Sequence, residues 1–246
     1  MPTTLAPLLF LFLSSFSTFS QGNDLELGIY ELNRGEFHAA IKQFQPLVAR
    51  GYAPAQYQMA TVYQHGYGVE KNNQKALVLF KLAAKQNFTD AQFELALIYS
   101  EGKLTPKNLT KAYQLTRAVA NKGLASAQYN LALMYANGKG IEQDYVKAAR
   151  LYRYAANQNY ALAQYNLALL YSEGKGVEKN TEMSLVWNTI ASWNGYHYAK
   201  QSRLIDERQL STAKKNNAIE KANRIYKQIK RQLKIKAVTA QKNGFY

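Results

Sequence analysis

Between residues 53 and 196, small and apolar side chains recur in two helical phases, each returning every 36 residues. The first phase sets Ala55, Met59 and Tyr63 four apart; Ala91, Leu95 and Tyr99, then Ala127, Leu131 and Tyr135, then Ala163, Leu167 and Tyr171 keep the same register. Residues four apart share one face of a helix, so each set predicts a helix A, over roughly 53–65 in the first copy. A glycine follows each time, at Gly66, Gly102, Gly138 and Gly174, and ends it. The second phase, Ala76, Leu79, Phe80, Ala83 and Ala84, predicts a helix B over about 73–87. Small residues at Ala60, Ala96, Ala132 and Ala168 let the two antiparallel helices approach closely. Neither helix buries its stripe alone, so neighbouring pairs must stack.

The flanks follow the same logic less regularly. Residues 24–33 read as a short helix, Arg34-Gly35 as a tight turn, and 36–49 as a second helix interrupted by Pro46. Past Tyr196, residues 199–210 and 211–236 read as a last pair, with Ser211 the N-cap of a long basic helix. The predicted organisation is a shortened cap over 21–52, four repeats at 53–88, 89–124, 125–160 and 161–196, basic capping helices over 197–236, and a flexible tail over 237–246. Residues 1–20 carry no charge and an apolar run from Leu5 to Phe19, shorter than the roughly 20 residues a membrane-spanning helix needs. With small Thr18 and Ser20 ahead of a cleavage point, they read as a secretory signal peptide, or else as a retained anchor. Either reading puts the rest of the chain outside the cytoplasm, periplasmic or secreted.

The four copies resemble the Sel-one-like repeat, a branch of the tetratricopeptide superfamily. The resemblance lies in A-x-x-x-[LM]-A-x-x-Y-x-x-G-x-G-[VI] followed by K-A-x-x-x-[FY]-x-x-A-A, and it covers residues 53–196. It implies an all-α fold: a right-handed superhelical solenoid of antiparallel helix-turn-helix repeats that holds a protein partner on its concave surface without catalysis. Relatives include bacterial envelope and secreted proteins. Three departures matter. Ala60 and its counterparts stand where the family commonly has Gly; Leu104 replaces the second loop glycine of the second copy, beside Pro106; Met183 and Ser184 replace the Lys-Ala that opens helix B elsewhere. Helix B of the fourth copy, with Trp187 and Trp193, is therefore expected to pack differently.

If helix A lines the inside of such a superhelix, two rows face the groove, Tyr57, Phe93, Tyr129 and Tyr165 together with Thr61, Leu97, Leu133 and Leu169. They form either a stripe that grips a peptide or helix or simple packing between repeats. Beside them, Gln58, Glu94, Asn130 and Asn166 vary and can carry specificity.

Charge adds a second surface. The chain carries a formal net charge of +15, and residues 197–246 hold 13 Lys and Arg against 3 Asp and Glu, a net of +10. In the last helix, Lys227, Lys230, Arg231 and Lys234 are candidate anion-binding residues, toward anionic lipid or glycan of an envelope surface, with Ile219, Ile225, Ile229 and Leu233 for the buried face. A solvated face of a terminal repeat is the alternative. Charge gathered in the cap rather than along the repeats argues against nucleic acid as the partner. The absence of cysteine excludes disulfides, thiolate metal sites and a cysteine nucleophile. His38, His65 and His197 stand at no ligand spacing, no catalytic motif occurs, and no metal or cofactor is expected.

Overall fold

A computed structural model describes residues 24–242; within them the chain forms twelve helices and no strand. They run α1 (24–33), α2 (Phe37–Ala49), α3 (Ala53–His65), α4 (Asn73–Lys85), α5 (Thr89–Glu101), α6 (Leu109–Asn121), α7 (Ala125–Asn137), α8 (Tyr145–Ala156), α9 (Ala161–Glu173), α10 (Thr181–Trp193), α11 (His197–Arg208) and α12 (Thr212–Lys242). The predicted all-α class of stacked helix pairs is the one observed. The signal-peptide reading of residues 1–20 lies outside the described residues.

Two compact units divide the chain, one ending at Asn108 and the other beginning at Leu109. In the first, α2 packs on α3, α3 on α4 and α4 on α5. Its core is Ala40, Ile41, Phe44, Met59 and Val62, against which Leu25, Ile29 and Leu32 of α1 settle. Gly28 is the reason α1 comes so close, since a Cβ there would sit 2.5 Å from Phe44 Cε1. In the second unit, contacts run from α6 through α10 in sequence, and α10 also carries α11 and α12.

Three of the B helices, α4, α8 and α10, start on a side-chain cap. The side chains of Asn72, Asp144 and Asn180 accept from Lys75 N, Lys147 N and Met183 N at 2.9, 2.9 and 2.8 Å. The backbone N–H of the same residues donates to the carbonyls of Tyr63, Tyr135 and Tyr171, and that of Asn108 to Tyr99, so one hydrogen bond recurs in the A-to-B loop of all four repeats. The first loop glycine of each repeat takes the left-handed conformation at the end of helix A. The second glycine has another purpose. A Cβ on Gly140 would lie 2.7 Å from Leu109 O, and one on Gly176 would run into Tyr145 O, so the loop rests directly on the start of the preceding B helix. Leu104 keeps a negative φ and is half-buried, and the loop of the second repeat accordingly differs as its sequence implies.

Three expectations need correction. Pro46 does not interrupt α2: the helix continues to Ala49, and Arg50 N bonds Pro46 O at 3.3 Å. Lys42 and Pro46 are both exposed, so the carbonyl that loses its donor faces water. Helix α12 does not stop at Lys236 but runs to Lys242, because nothing between breaks it: 237–242 hold neither Gly nor Pro. Its seam is also shifted. Ala218 and Ala222 are buried together with Ile229, while Ile219, Ile225 and Leu233 are only half-buried, because alanines allow the closer approach to α10.

Candidate protein-binding face

The A helices are held in place by a glutamine of each repeat. Gln56, Gln92, Gln128 and Gln164 are buried, one residue before the aromatic row. Gln92, Gln128 and Gln164 Nε2 donate to the carbonyls of Ala84, Ala120 and Ala156 on the preceding B helix, at 3.3, 3.4 and 3.0 Å. Their oxygens are met from the other side: Gln56 Oε1 accepts from Gln86 Nε2 at 2.9 Å, Gln128 Oε1 from Gln158 Nε2 at 2.8 Å, and Gln164 Oε1 from Asn194 Nδ2 at 2.9 Å. The amides of Gln92, Gln128 and Gln164 thus add a second donor to carbonyls that already accept from Asn87, Gly123 and Asn159 N, and tie consecutive repeats together. Sequence reasoning missed this clamp; the presence of glutamine at the same position in all four copies was the available signal.

On this frame the aromatic row is half-buried throughout. Tyr57 stacks at a tilt on Phe80 of its own B helix and on Phe88, with ring centroids 5.7 and 5.5 Å apart. Tyr129 meets Tyr152 at 5.8 Å and Tyr160 at 5.1 Å, and Tyr165 meets Tyr196 at 5.0 Å. Burial raises the Tyr57 phenol above its ordinary value, with Glu94 and Asp90 adding to it, and burial likewise raises Tyr129. The rings of Tyr57, Tyr129 and Tyr165 therefore pack within their own repeats, on helix B or on the residue that closes the repeat, while keeping an open edge. Thr61 turns its hydroxyl back to Tyr57 O at 3.1 Å, and Leu97, Leu133 and Leu169 are half-buried beside the row. Polar neighbours link adjacent A helices: Gln64 Nε2 donates to Glu94 Oε1 at 3.4 Å, and Asn166 Nδ2 to the Tyr129 hydroxyl at 3.5 Å. The structure thus joins Tyr57 with Thr61 in the first unit and Tyr129 with Asn166 in the second.

A different tyrosine row serves the helix pair itself. Lys75 lies over the Tyr63 ring at 5.2 Å and Lys147 over Tyr135 at 5.3 Å, which explains the Lys that opens helix B. Tyr135 is further bonded to the Tyr113 hydroxyl at 3.1 Å, and burial, then that bond, pushes it up to about 12. Where Met183 replaces the lysine, the Tyr171 hydroxyl instead accepts from Arg153 Nη2 at 2.9 Å.

Helix α10 does pack differently: Ser184 through Ala191 are all buried, because α9, α11 and α12 surround it. It encloses a polar cluster that no sequence pattern announced. Asp206 Oδ2, on α11, accepts from Ser184 Oγ and Asn188 Nδ2, each at 2.8 Å. Burial raises its carboxyl above the ordinary value despite these two donors. Of the candidate cations, Lys227, Lys230, Arg231 and Lys234 are all exposed on α12, and Lys230 lies over Tyr226 at 5.6 Å. A cleft of about 380 Å³ in the first unit, between α2 and α4 over Met59 and Tyr63, is apolar and was likewise not anticipated.

The acidic loop residues Glu101 and Glu173 pair with Lys103 and Lys175 at 2.7 and 2.8 Å. His65 Nδ1 lies 3.0 Å from Thr61 O and its ring stacks on Tyr67; His197 stacks on Tyr198. Among the described residues no three His, Asp or Glu side chains gather as a metal site would require.

Helix pairs repeated every 36 residues, joined by the same loop hydrogen bond and tied by the same buried glutamine, make this a helical-repeat protein of the tetratricopeptide type. The Sel1 repeat family model matches residues 53–88, 89–124, 125–160 and 161–191, more than half of the chain, and the chain belongs to that family. Among solved structures it is similar to a Sel1 repeat protein from Oxalobacter formigenes, at 24% identity and a TM-score of 0.71 over 82% of each chain. It is also similar to c5321, a protective antigen of uropathogenic Escherichia coli with an SLR fold, at 28% identity and a TM-score of 0.73 over 94% of this chain and 50% of that one. A Sel1 repeat protein from Klebsiella pneumoniae matches at 19% identity and a TM-score of 0.50, over 76% of this chain and 93% of that chain. No curated protein matches the chain. The family is in general one of non-catalytic scaffolds for protein–protein interaction.

Proposed function

We propose that this protein is a non-enzymatic scaffold acting outside the cytoplasm, which grips a protein partner along the concave face formed by its A helices. The observation that carries the reading is the double row on those helices. Tyr57 and Thr61, Phe93 and Leu97, Tyr129 and Leu133, Tyr165 and Leu169 are half-buried, and stacking beneath fixes Tyr57, Tyr129 and Tyr165, whose ring edges lose little freedom when covered. Variable polar residues border them, from Gln58 to Asn166, and give the face its selectivity. The export reading is supported by the uncharged run Leu5–Phe19 and the small residues after it.

A photo-crosslinking side chain placed singly at Leu97, Leu133 or Leu169 tests the face in the source cell. Adducts with one protein from these positions, and none from Val78 or Val146, which are exposed on the B helices α4 and α8, are the expected result. Adducts only from the B-helix positions would move the partner to the other face. Fractionation of the same cells places the protein inside or outside the cytoplasm.

A further inference from the structure

The last helix is longer than what it packs against. Helix α12 has 31 residues and α10 has 13, or about 46 Å against about 20 Å at 1.5 Å per residue. Among residues 212–240 of α12 the buried ones, Ala218, Ala222 and Ile229, lie in the first eighteen positions, and none of residues 230–240 is buried. Its composition is one-sided as well. From Lys221 to Lys242 there are eight Lys and Arg and no Asp or Glu. A helix that needed charge only for solubility would mix the signs, because ion pairs one turn apart stabilise it.

Helical phase places these cations. At 3.6 residues per turn, Arg224, Lys227, Arg231 and Lys234 fall on the side opposite the Ala218–Ala222–Ile229 seam, and so do Ile235 and Val238. The two aliphatic side chains are 55% and 43% exposed, and with Arg231, Lys234 and Thr239 they surround a shallow concavity that belongs to α12 alone. A cationic stripe ending in two exposed aliphatic residues matches a surface that is anionic outside and apolar beneath.

We infer that the outer face of α12 docks on an anionic lipid bilayer, with Arg224, Lys227, Arg231 and Lys234 against headgroup phosphates and Ile235 and Val238 inserted between them. Two aliphatic side chains supply little insertion energy alone, so attachment is electrostatic in origin and reversible, and it weakens as salt screens it. This surface is separate from the A-helix rows, and a partner gripped there would be held at the membrane.

Co-sedimentation of the full-length chain with vesicles tests the inference. Vesicles containing phosphatidylglycerol should bind it and pure phosphatidylcholine should not, with binding falling about tenfold between roughly 0.1 and 0.5 M salt. The triple variant Lys227→Gln/Arg231→Gln/Lys234→Gln should lose at least about tenfold in affinity, and Ile235→Ser/Val238→Ser should bind less tightly with unchanged salt dependence. All these positions are exposed, so unchanged helicity and melting by circular dichroism show that the variants fold. A control of equal charge loss, Lys71→Gln/Lys85→Gln/Lys139→Gln, should bind like the parent. Binding to both vesicle types, indifferent to the α12 substitutions, would overturn the inference and assign attachment to the apolar segment Leu5–Phe19. Equal loss in the control would reduce it to net charge. Capture of a soluble acidic peptide or polyphosphate without vesicle binding would overturn the bilayer as occupant.

Discussion

Asp206 is a carboxylate that folding takes out of water. It is 4% exposed on α11, and both donors it meets, Ser184 and Asn188, belong to α10. Burial costs the charged form more than the two hydrogen bonds return, and its folded-state pKa is raised above the ordinary 3.8. The sign follows from linkage. A folded state that prefers the protonated acid gains stability below the unfolded pKa and loses it as pH rises through the folded one. Asp206→Asn keeps an oxygen for both donors and removes the charge. The variant should be more stable than the parent at pH 7, with the difference closing below about pH 4, read from urea unfolding curves at several pH values. A variant less stable at pH 7 would show that the ionised cluster is itself a net stabiliser. Gln164 poses the opposite case. Fully buried and uncharged, it has a partner for its nitrogen and its oxygen, so it adds no pH dependence and serves the stacking of repeats alone.

At the scale of elements, the loops decide how closely the repeats stack. Gly51 and Gly140 both have left-handed backbones, with φ of 77° and 75°, but nothing lies within 4 Å of a Cβ on Gly51, whereas Gly140 rests on Leu109. Gly51→Ala should therefore cost only the backbone strain, about 1 kcal/mol, and Gly140→Ala about 1–3 kcal/mol more, because a backbone contact must open. Equal losses in thermal melts would mean that the loop yields. The helices were legible beforehand because the pattern is written four times: helix A was placed at 53–65 and is found at Ala53–His65. What the pattern could not supply was anything set by a single contact. Pro46 looks like a break until its exposed position is known. The Asp206 cluster joins residues 18 and 22 apart on different helices, outside any period. The aromatic row was correctly located on helix A, but whether a ring there packs or projects depends on Phe88, Tyr160 and Tyr196, which close their repeats in space.

For the whole molecule, the ends of the array are where stacking stops and something else must cover the last apolar surface. At the C-terminal end that task falls on the first part of α12. Helix α10 is buried on all sides from Ser184 to Ala191, and removing α12 would uncover the side that meets Ala218, Ala222 and Ile229, including Trp193 where it packs on Tyr226 at 5.5 Å. The ion pair between Lys214 and Glu182, 3.1 Å long and exposed, adds little by comparison. Capping and surface binding thus divide a single helix, and truncation separates them. A chain ending at Gln232 keeps the whole buried seam and should melt within about 2 °C of the parent, since among residues 233–240 it loses only exposed side chains and the half-buried Leu233 and Ala240. One ending at Leu210 removes the three buried side chains of α12, uncovers the side of α10 they meet and should lose several kcal/mol of stability, with α10 and α11 fraying first in hydrogen exchange. The shorter truncation, which removes Lys234, Ile235 and Val238 but keeps Arg224, Lys227 and Arg231, should also weaken attachment to anionic vesicles without loosening the A-helix rows, whereas a melting temperature that falls when residues 233–246 are removed would make the distal turns part of the cap.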